Sequence, residues 1–346
     1  MRKVLVCLLT LALVFGCVSV QAEGVLTPGT YTSTMTAMHG PMTVEVTVTD
    51  SAITSVEVVD QVETPGVTDP VFEKIPAAIV ENQTTAVDTI TGATVSSRVL
   101  MAAVQDCLKQ AGDTEGIFSK ELEKAPAEDV TLTADVIIVG GGGAGLAAAV
   151  SASDEGASVI VIEKTGFLGG NSIVAGGIYN APDPDLQDYA EISGDQDSLV
   201  EAALAEEPVS EEHAELQEAV RLEFEAYKET DKTLFDSANW FALQTWNGGD
   251  KIADLDLVKV LTAGAYPALE WLESMGMEFN DFVTLGGGSL YPRTHGATTP
   301  NGTGYIKAFT NTLDGRDNVQ IIMDTTGKSL LTDGDKVVGV NAVGRD

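Results

Sequence analysis

The chain has 346 residues, of which 44% are hydrophobic, so it is long enough for two or three domains and can bury a substantial core. Its 52 acidic and 19 basic residues give a formal net charge of −33, which argues against nucleic acid or an anionic membrane surface as a partner. Two of its three cysteines, Cys7 and Cys17, fall in an apolar N-terminal stretch, which excludes a disulfide framework. We expect the third, Cys107, to be a small core residue of a helix rather than a reactive thiol.

Residues 1–22 have the pattern of an export signal. Arg2 and Lys3 precede an apolar stretch that is too short to span a bilayer as a stable helix, and Ala22 ends a small-residue cleavage site. The alternative is a lipoprotein, processed after Gly16 and lipidated at Cys17. Both interpretations predict an exported protein that works outside the cytoplasm, in the periplasm or at the outer side of the membrane.

Residues 24–112 are predicted to form a small α+β domain. Alternation of polar and apolar residues predicts three strands, over residues 31–38, 42–49 and 53–59. Helix start signals and apolar spacing predict two helices, over residues 71–81 and 98–110.

A polar segment at residues 88–97, D-T-I-T-G-A-T-V-S-S, leads into the second of these helices. From the residues alone, Thr94 or Ser96 would be the N-cap of that helix. Together with E-T-P-G at residues 63–66, however, the segment resembles the FMN-binding domain of exported flavoproteins and sodium-pumping redox complexes. The resemblance implies that a flavin transferase attaches FMN to Thr94 through a phosphodiester, with Thr91 standing where many relatives carry Ser. A permanent phosphate at a helix N-terminus is stabilised by the helix dipole and the open N–H groups.

Residues 113–133 are polar and charged and contain Pro126, which predicts a linker. We expect this linker to permit a small motion between the domain before it and the domain after it. The second domain is expected to begin at residue 134.

The second domain opens with a dinucleotide-binding pattern. Apolar residues 136–139 predict a strand buried on both faces, and Gly140, Gly142 and Gly145 follow it as G-x-G-x-x-G at the start of an Ala-rich helix. Gly140 allows the tight turn, Gly142 lets the backbone approach a pyrophosphate, and Gly145 lets the helix pack close to the strand. The N-terminus of the helix offers free N–H groups to the phosphates.

A second predicted strand, residues 159–162, ends at Glu163, which is placed to accept hydrogen bonds from a ribose diol. The motif alone does not separate NAD from FAD. The segment that follows, E-K-T-G-F-L-G-G-N-S-I-V-A-G-G-I-Y-N-A, resembles the FAD-binding segment of the soluble fumarate reductase and urocanate reductase flavoprotein family. It differs from many relatives at Ile178, where they carry Met. The resemblance implies a non-covalent FAD contacted by Ala144, Glu163, Asn171, Ser172, Gly176 and Gly177.

Residues 183–310, which follow the first FAD-binding part at 134–182, are predicted to be an inserted capping domain. Apolar residues recur there at helical spacing, and the expected core positions are Leu199, Ala203, Leu216, Val220, Phe224, Trp271 and Leu272. His213 is expected on a solvated helix face, without metal-ligand spacing. Arg293 and His295 match an R-x-H of the family near the flavin and the substrate entrance, where they either take part in function or tie down a loop.

Residues 311–346 are predicted to return to the FAD-binding domain, with strands at 319–323 and 336–343. In the family, the proton-delivering arginine and the side chains that hold the substrate carboxylate lie beyond the position that matches Asp346. The chain therefore resembles the N-terminal portion of a longer enzyme with an apparently truncated α/β fold, and no catalytic residue or metal ligand is assigned within it.

Two functions remain open. The first is an exported respiratory reductase that takes electrons from a membrane-side donor through FMN on Thr94 to FAD, and then as hydride to the C=C bond of an unsaturated carboxylate such as fumarate or urocanate. The second is a truncated electron carrier that holds FMN and has no catalysis. The resemblance favours the first.

Overall fold

The computed structural model describes residues 25–122, 129–186, 195–286 and 291–344. The predicted export signal, with Cys17, lies outside these residues. By compactness the chain divides into two units. The first comprises Met1–Val62, Lys74–Asp88 and Arg98–Leu122, and the second comprises Glu63–Glu73, Thr89–Ser97 and Glu123–Asp346. Two short segments of the predicted first domain therefore cluster with the second unit.

The first unit contains an antiparallel sheet of three strands, in the order β1-β2-β3. Its strands are β1 (Gly29–Thr36), β2 (Pro41–Val48) and β3 (Ile53–Asp60), each within two residues of the predicted bounds. The central strand β2 alternates strictly, and every second side chain is buried: Met42, Val44, Val46 and Val48. The alternation of polar and apolar residues in the sequence therefore correctly predicts which face of β2 is buried.

Two helices accompany this sheet in the chain, α1 (Asp69–Asn82) and α2 (Thr94–Gln110). Helix α2 begins earlier than predicted, so that Thr94 is its first residue and not its N-cap. Cys107 on α2 is fully buried, with its Sγ 3.8 Å from the carbonyl oxygen of Val44. Its complete burial confirms the prediction of a core cysteine, and burial also raises the pKa of the Cys107 thiol to about 11.

The first part of the predicted linker packs with the first unit. A 3₁₀ helix at Ile117–Ser119 is fixed by the Asp113 carboxylate, which accepts from the N–H groups of Ile117 at 2.8 Å and Phe118 at 3.2 Å. The carbonyl of the buried Phe118 accepts in turn from the N–H of Thr85 at 2.7 Å. Of the rest of the predicted linker, residues 123–128 lie outside the described ranges.

The second unit is built on a parallel sheet with the strand order β4-β5-β9. Strand β4 (Val136–Val139) leads through α3 (Gly143–Asp154) to β5 (Val159–Ile162), and β9 (Val319–Ile322) pairs with the other edge of β5. Apolar side chains of α3 and of α8 (Thr303–Leu313) share one core cluster with this sheet. This is the β-α-β arrangement that the glycine motif predicts.

Strand β4 differs from its prediction. All four residues of β5 are buried, whereas on β4 the side chains of Ile137 and Val139 are 36% and 58% exposed. The prediction that β4 is buried on both faces is therefore wrong for the described residues. The two exposed side chains alternate along the strand and share one face, while Val136 and Ile138 on the other face pack with the side chains of α3.

Four helices follow in the predicted capping region: α4 (Gln196–Ala205), α5 (Glu211–Lys228), α6 (Ala238–Gly248) and α7 (Leu255–Ser274). A Ser or Asp side chain accepts a backbone N–H at the start of each helix, which is the preferred N-cap chemistry. These caps are Asp195, Ser210, Ser237 and Asp254.

Two side chains in these helices differ from the sequence interpretation. His213 is fully buried on α5, with its ring 4.9 Å from that of Trp246, so its prediction as a solvated residue is wrong. It belongs to the same face as Leu216 and Val220, three and seven residues further on, and that spacing carries more information than its acidic neighbours. Leu199 is 45% exposed, and its neighbour Val200 faces the core instead.

A second, antiparallel sheet has the order β6-β8-β7, formed by β6 (Ile178–Asn180), β7 (Phe279–Leu285) and β8 (Pro292–Ala297). The last two described strands, β10 (Thr325–Asp333) and β11 (Lys336–Gly344), pair with each other as a hairpin, so β11 forms no pair with the parallel sheet. None of the helices within the described ranges combines the length and the apolar character that crossing a membrane requires.

Candidate flavin sites

The loop between β4 and α3 contains two glycines that the protein backbone itself requires. Gly140 has a φ of +110°, a conformation that L-residues rarely adopt. A Cβ on Gly145 would lie 2.0 Å from the carbonyl oxygen of Gly140, so only glycine lets α3 pack this close. A Cβ on Gly142 would meet nothing nearer than 3.8 Å. Protein packing therefore leaves room at Gly142, where the sequence places the approach of a pyrophosphate.

The N-terminus of α3 faces the same loop. Gly142 is its N-cap residue and supplies no side-chain oxygen, so the N–H groups of the first turn lack a side-chain cap there. The N–H of Gly143 donates to Ser172 Oγ at 3.2 Å, and Ala144 is exposed. A helix start whose N-cap glycine has no side chain, with an exposed alanine in its first turn, is suited to binding an anion such as a phosphate.

Glu163 holds the glycine loop together from the end of β5. Its carboxylate is 5% exposed, and Oε2 accepts from the N–H of Gly141 at 2.7 Å. Oε1 accepts from both the N–H and the hydroxyl of Thr165, at 2.8 and 2.9 Å. An ionised carboxylate has about four acceptor positions, so these three bonds leave about one for the predicted ribose contact.

A second glycine turn lies directly beside the first. Gly169, with a φ of +106°, donates its N–H to the carbonyl of Gly141 at 2.8 Å, and Gly142 and Gly169 form an isolated parallel bridge. A short 3₁₀ helix, Gly170–Ser172, follows and brings Ser172 against the start of α3. Asn171 in this helix is exposed. The two glycine segments are therefore in direct contact.

The two remaining glycines of the predicted site differ in their surroundings. A Cβ on Gly177, whose φ is +72°, would lie 2.2 Å from the carbonyl oxygen of Asn301, so the fold requires glycine there. A Cβ on Gly176 would meet nothing within 4 Å. Gly176 thus keeps an open backbone face beside β6, whose first residue, Ile178, is 56% exposed.

A cavity of about 370 Å³ adjoins these segments, within the volume range of small-molecule sites. Of the predicted residues, Ala144, Ser172 and Gly177 line it, while the other predicted FAD residues are not among its walls. Its remaining walls are mostly apolar and come from α3, the 172–179 segment, α7, Gly302 and α8. The large side chains among them are Ile178, Tyr179, Trp271, Leu272, Tyr305 and Phe309. A mostly apolar cavity beside a phosphate-binding loop fits a flat ring attached to a dinucleotide.

The aromatic walls are the part of this site that the sequence does not predict. The sequence places Trp271 in the core and indicates no role for Tyr305 or Phe309. Their signal is the helical spacing of Tyr305 and Phe309, four residues apart on one face of α8. Burial raises the pKa of Tyr305 to about 12 and also raises that of Tyr179, so both phenols stay protonated at neutral pH.

Thr94, the predicted attachment residue, opens α2 after a tight turn. Gly92 has a φ of +92°, and the N–H of Ala93 donates to the carbonyl of Ile90 at 3.0 Å. The hydroxyl of Ser96 donates to the buried carboxylate of Glu63 in a short hydrogen bond, so Ser96 is not a helix cap. Thr94 itself is half-buried at the helix start. This is the position in which a phosphate would meet open N–H groups.

Arg293 lies in the interior of the second unit. Its Nε and Nη2 donate to the two oxygens of Asp236 at 3.0 and 2.8 Å, and Nη2 also donates to Gln244 at 2.6 Å. The guanidinium also lies over the rings of Phe241 and Tyr291, at 4.3 and 4.9 Å. Despite Arg293, burial raises the pKa of Asp236 to about 6. These contacts favour the interpretation that Arg293 ties β8 to the helices.

His295 is buried on the same strand. Its Nε2 lies 3.0 Å from Asp183 Oδ2, and its Nδ1 has no hydrogen-bond partner among the described residues. The other oxygen of Asp183 accepts from the N–H groups of Asp185 and Leu186, at 2.8 and 3.1 Å. Neither Arg293 nor His295 lines the cavity. The geometry therefore favours tie-down roles for both residues.

Two family models match the chain. One, described as an FMN-binding domain, covers residues 38–109, and the other, described as a FAD binding domain, covers residues 135–234 and 225–345. The two matches confirm the predicted fold class, a small FMN-binding domain followed by an FAD-binding domain.

Several curated proteins are similar to the chain. It is 34% identical to an NADH:acrylate oxidoreductase of Vibrio harveyi over 92% of its own length and 33% of that protein. It is 29% identical to a urocanate reductase of Eggerthella lenta, over 90% of its length and 45% of that protein. An NADH:fumarate oxidoreductase of Klebsiella pneumoniae is also 29% identical, over 79% of the chain and 24% of that protein. The chain thus spans less than half the length of these relatives.

Proposed function

The chain belongs to the FAD-binding domain family, and on that premise we propose that it is the flavin-carrying part of a reductase that acts on the C=C bond of a small unsaturated carboxylate. The observation that carries the proposal is the junction of two glycine turns, a helix start with glycine as its N-cap residue and an apolar cavity in one compact unit. The three relatives named above, which act by name on acrylate, urocanate and fumarate, support the substrate class.

In this proposal the residues of the second unit hold FAD without a covalent bond. The first turn of α3 binds the pyrophosphate through its backbone N–H groups, and Gly142 leaves room for that approach. Glu163 accepts from the ribose while it keeps the loop in shape through Gly141. Asn171, Ser172 and Gly176 would contact the cofactor, and the aromatic walls of the cavity would shield its ring from water.

Thr94 is proposed to carry FMN, attached by a flavin transferase. Its hydroxyl stands at the first residue of α2, where the helix dipole stabilises the negative charge of a phosphodiester. The chemistry that the bound flavins supply is the acceptance of two electrons from a donor and their delivery as hydride to the substrate. The chain's own residues bind and orient the groups and keep the phenols of Tyr179 and Tyr305 neutral beside them.

We further propose that the protein works outside the cytoplasm, with residues 1–22 as its export signal or Cys17 as a lipid anchor. A membrane-side donor would then supply the electrons. Two of the relatives are named for NADH, so that reductant belongs in the same assay.

One observation favours a second candidate, a carrier that holds FMN without catalysis. Among the described residues that line the cavity there is no carboxylate, imidazole or cationic side chain, and the protonated groups there are the phenols of Tyr179 and Tyr305. A reductase would therefore need one of these phenols, or a group outside these walls, as its proton donor.

The test uses the protein expressed from its complete reading frame together with a flavin transferase. Oxidation of reduced methyl viologen, and of NADH, is followed after addition of fumarate, urocanate or acrylate. The proposal predicts rapid oxidation by at least one of the three acids, with a saturated analogue such as succinate as the inert control. If the protein is fully loaded with FAD and FMN and none of the acids is reduced, the reductase reading is wrong and the carrier remains.

A further inference from the structure

The predicted attachment loop, Thr89–Ser97, belongs to the same compact unit as the glycine motif. Two hydrogen bonds of Thr91 join it to that unit. The hydroxyl of Thr91 donates to Asp324 Oδ1 at 2.6 Å, and its carbonyl accepts from the N–H of Gly166 at 3.1 Å. One residue of the loop is thus bound both to the segment after β5 and to the corner between β9 and β10.

Close packing accompanies these bonds. A Cβ on Gly92 would lie 2.5 Å from a ring carbon of Phe167, and a Cβ on Gly166 would lie 2.7 Å from a methyl group of Ile90. Gly92 of the loop therefore packs against Phe167, and Gly166, in the segment after β5, packs against Ile90 of the loop. Phe167 is buried, at 8% exposure, although it follows a polar turn. A complementary fit of this kind fixes the loop in one position.

The first half of the predicted FMN motif makes a similar contact. A Cβ on Gly66, whose φ is +80°, would lie 2.3 Å from Cδ1 of Ile173. Ile173 follows directly after the 3₁₀ helix Gly170–Ser172 and is buried. Both halves of the FMN motif therefore pack on segments that border the predicted FAD site.

Asp324 is itself held by the segment that follows β5. Its backbone has a φ of +49°, and its N–H donates to the carbonyl of Thr165 at 3.1 Å. Thr165 in turn donates to the carboxylate of Glu163, which binds the N–H of Gly141. A continuous series of hydrogen bonds thus runs from Thr91 to the phosphate-binding turn.

We propose that Thr165, Gly166, Phe167 and Asp324 form a seat for the attachment loop, and that Thr91 and Asp324 are positioning residues for electron transfer between the two flavin sites. The seat holds the loop that carries Thr94 at a fixed place relative to the glycine turns. This inference rests on the proposed function, because it assigns a purpose to the loop only if Thr94 carries FMN. Fixed placement matters because the rate of electron transfer falls steeply with the distance between donor and acceptor.

The test compares four variants in the flavin-loaded protein. Asp324→Gly removes the acceptor of the Thr91 hydroxyl and suits the positive φ, whereas Asp324→Asn keeps both an acceptor and a residue that tolerates this φ. Gly166→Ala places a methyl group against Ile90 of the loop but changes no residue of the loop itself. Asp335→Gly makes the same replacement at an exposed position in the turn of the β10–β11 hairpin and is the matched control.

Hydrogen–deuterium exchange of residues 89–97 is the first readout. Because a hydrogen bond to a charged group is lost, exchange is expected to rise about tenfold or more in Asp324→Gly. A comparable rise is expected in Gly166→Ala, with Asp324→Asn and Asp335→Gly close to the unaltered protein. The second readout is turnover with reduced viologen, for which kcat falls in the two loosened variants while KM for the acid stays unchanged.

The possible results distinguish between failure of the seat, failure of its positioning role and failure of the proposed function. If the unaltered protein carries FMN and the loosened variants show unchanged exchange, the seat does not exist. If exchange rises but kcat does not fall, the seat exists and its positioning role is wrong. If the unaltered protein carries no FMN on Thr94, the proposed function itself fails. Gly166→Ala keeps the test decisive if Asp324→Gly lowers the amount of folded protein.

Discussion

At the scale of single residues, the glycine loop is determined by contacts of a few ångströms. Gly145 faces the carbonyl of Gly140, and Glu163 fastens Gly141 from the neighbouring strand. Both contacts act within the protein, so they shape the loop before any ligand is present. The affinity for a dinucleotide therefore depends on residues that do not line the cavity.

Gly145→Ala is expected to weaken FAD binding strongly. The added Cβ forces α3 away from β4, and such overpacking costs about 1–3 kcal/mol, which corresponds to about a fivefold to a 150-fold rise in Kd. The Kd is measured by fluorescence titration of the flavin-stripped protein. Gly264→Ala on α7, where a Cβ meets nothing within 4 Å, is the matched control and should bind FAD normally. Equal Kd values for the two variants would contradict this account of the loop.

His213 makes the stability of the helices dependent on pH. Burial lowers the pKa of His213 below its ordinary value of 6.5, with a smaller contribution in the same direction from Lys251, against Glu206. Below that ordinary value the unfolded chain takes up the proton more readily than the folded one. The stabilisation is therefore present above about pH 6.5 and is lost as the pH falls through the lower folded pKa.

The pH effect is measured as the fall in Tm between pH 7.5 and pH 5. It is expected to be larger for the unaltered protein than for His213→Gln, whose amide can still accept from the N–H of Val209. The exposed His39→Gln is the control and should behave like the unaltered protein. Asp236, with a pKa raised to about 6, shifts stability in the opposite direction in both proteins. An identical fall in Tm for His213→Gln would show that His213 is not the titrating group.

At the scale of elements, β8 is the strand that joins the capping helices to the cavity wall. Arg293 binds Asp236 in the turn before α6, Thr294 binds Asn180 of β6 at 2.6 Å, and His295 binds Asp183. Strand β6 carries Ile178 and Tyr179 to the cavity. The position of these two cavity residues therefore depends on buried polar pairs of β8.

Arg293→Ala is expected to destabilise the protein by about 3–5 kcal/mol, because it leaves the buried carboxylate of Asp236 without its cation. Urea unfolding followed by far-UV circular dichroism measures the change. Arg221→Ala is a contrast, since its ion pair with Glu218 is about half exposed and should contribute less than about 1 kcal/mol. A similar loss of unfolding free energy in both variants would mean that the buried Arg293–Asp236 pair stabilises the protein no more than an exposed ion pair does.

The elements themselves were largely predictable, and the exceptions have physical reasons. The alternation of β2 and the apolar run of β5 gave strands whose burial matches the structure. Strand β4 has the same composition as β5, yet one of its faces is exposed while β5 is buried throughout, because the packing partners of a face are not specified by the strand's own residues. The sequence predicts the start of α2 at residue 98, four residues too late, because Thr94 to Ser97 have modest helix propensity. In the structure these residues are helical all the same, since propensity is only a weak constraint.

The site was predictable where chemistry requires particular residues and unpredictable where packing decides. The glycine spacing and Glu163 gave the position of the dinucleotide loop. The aromatic walls, Trp271 and Tyr305, come from helices far along the chain, and nothing in their local sequence indicates that they meet the 172–179 segment. The partners of Arg293 and His295 are likewise distant carboxylates, so only the fold distinguishes a tie-down role from a catalytic one.

At the scale of the whole molecule, the account requires two flavins in series on one polypeptide. Its first support is that residues 63–73 and 89–97, which contain the FMN motif, cluster with the FAD-binding segments. Its second is the pair of family matches that cover both halves of the chain. We therefore expect the two flavins to be held differently, FMN by a covalent bond to Thr94 and FAD by non-covalent contacts alone. Loss of one should not release the other.

The most direct test is a flavin count on acid-denatured protein after co-expression with a flavin transferase, together with the intact mass. The account predicts one FAD released per chain and one FMN retained, with the retained FMN lost in Thr94→Val while FAD release is unchanged. A chain that releases all of its flavin, or that has the mass of the unmodified polypeptide, would contradict the account.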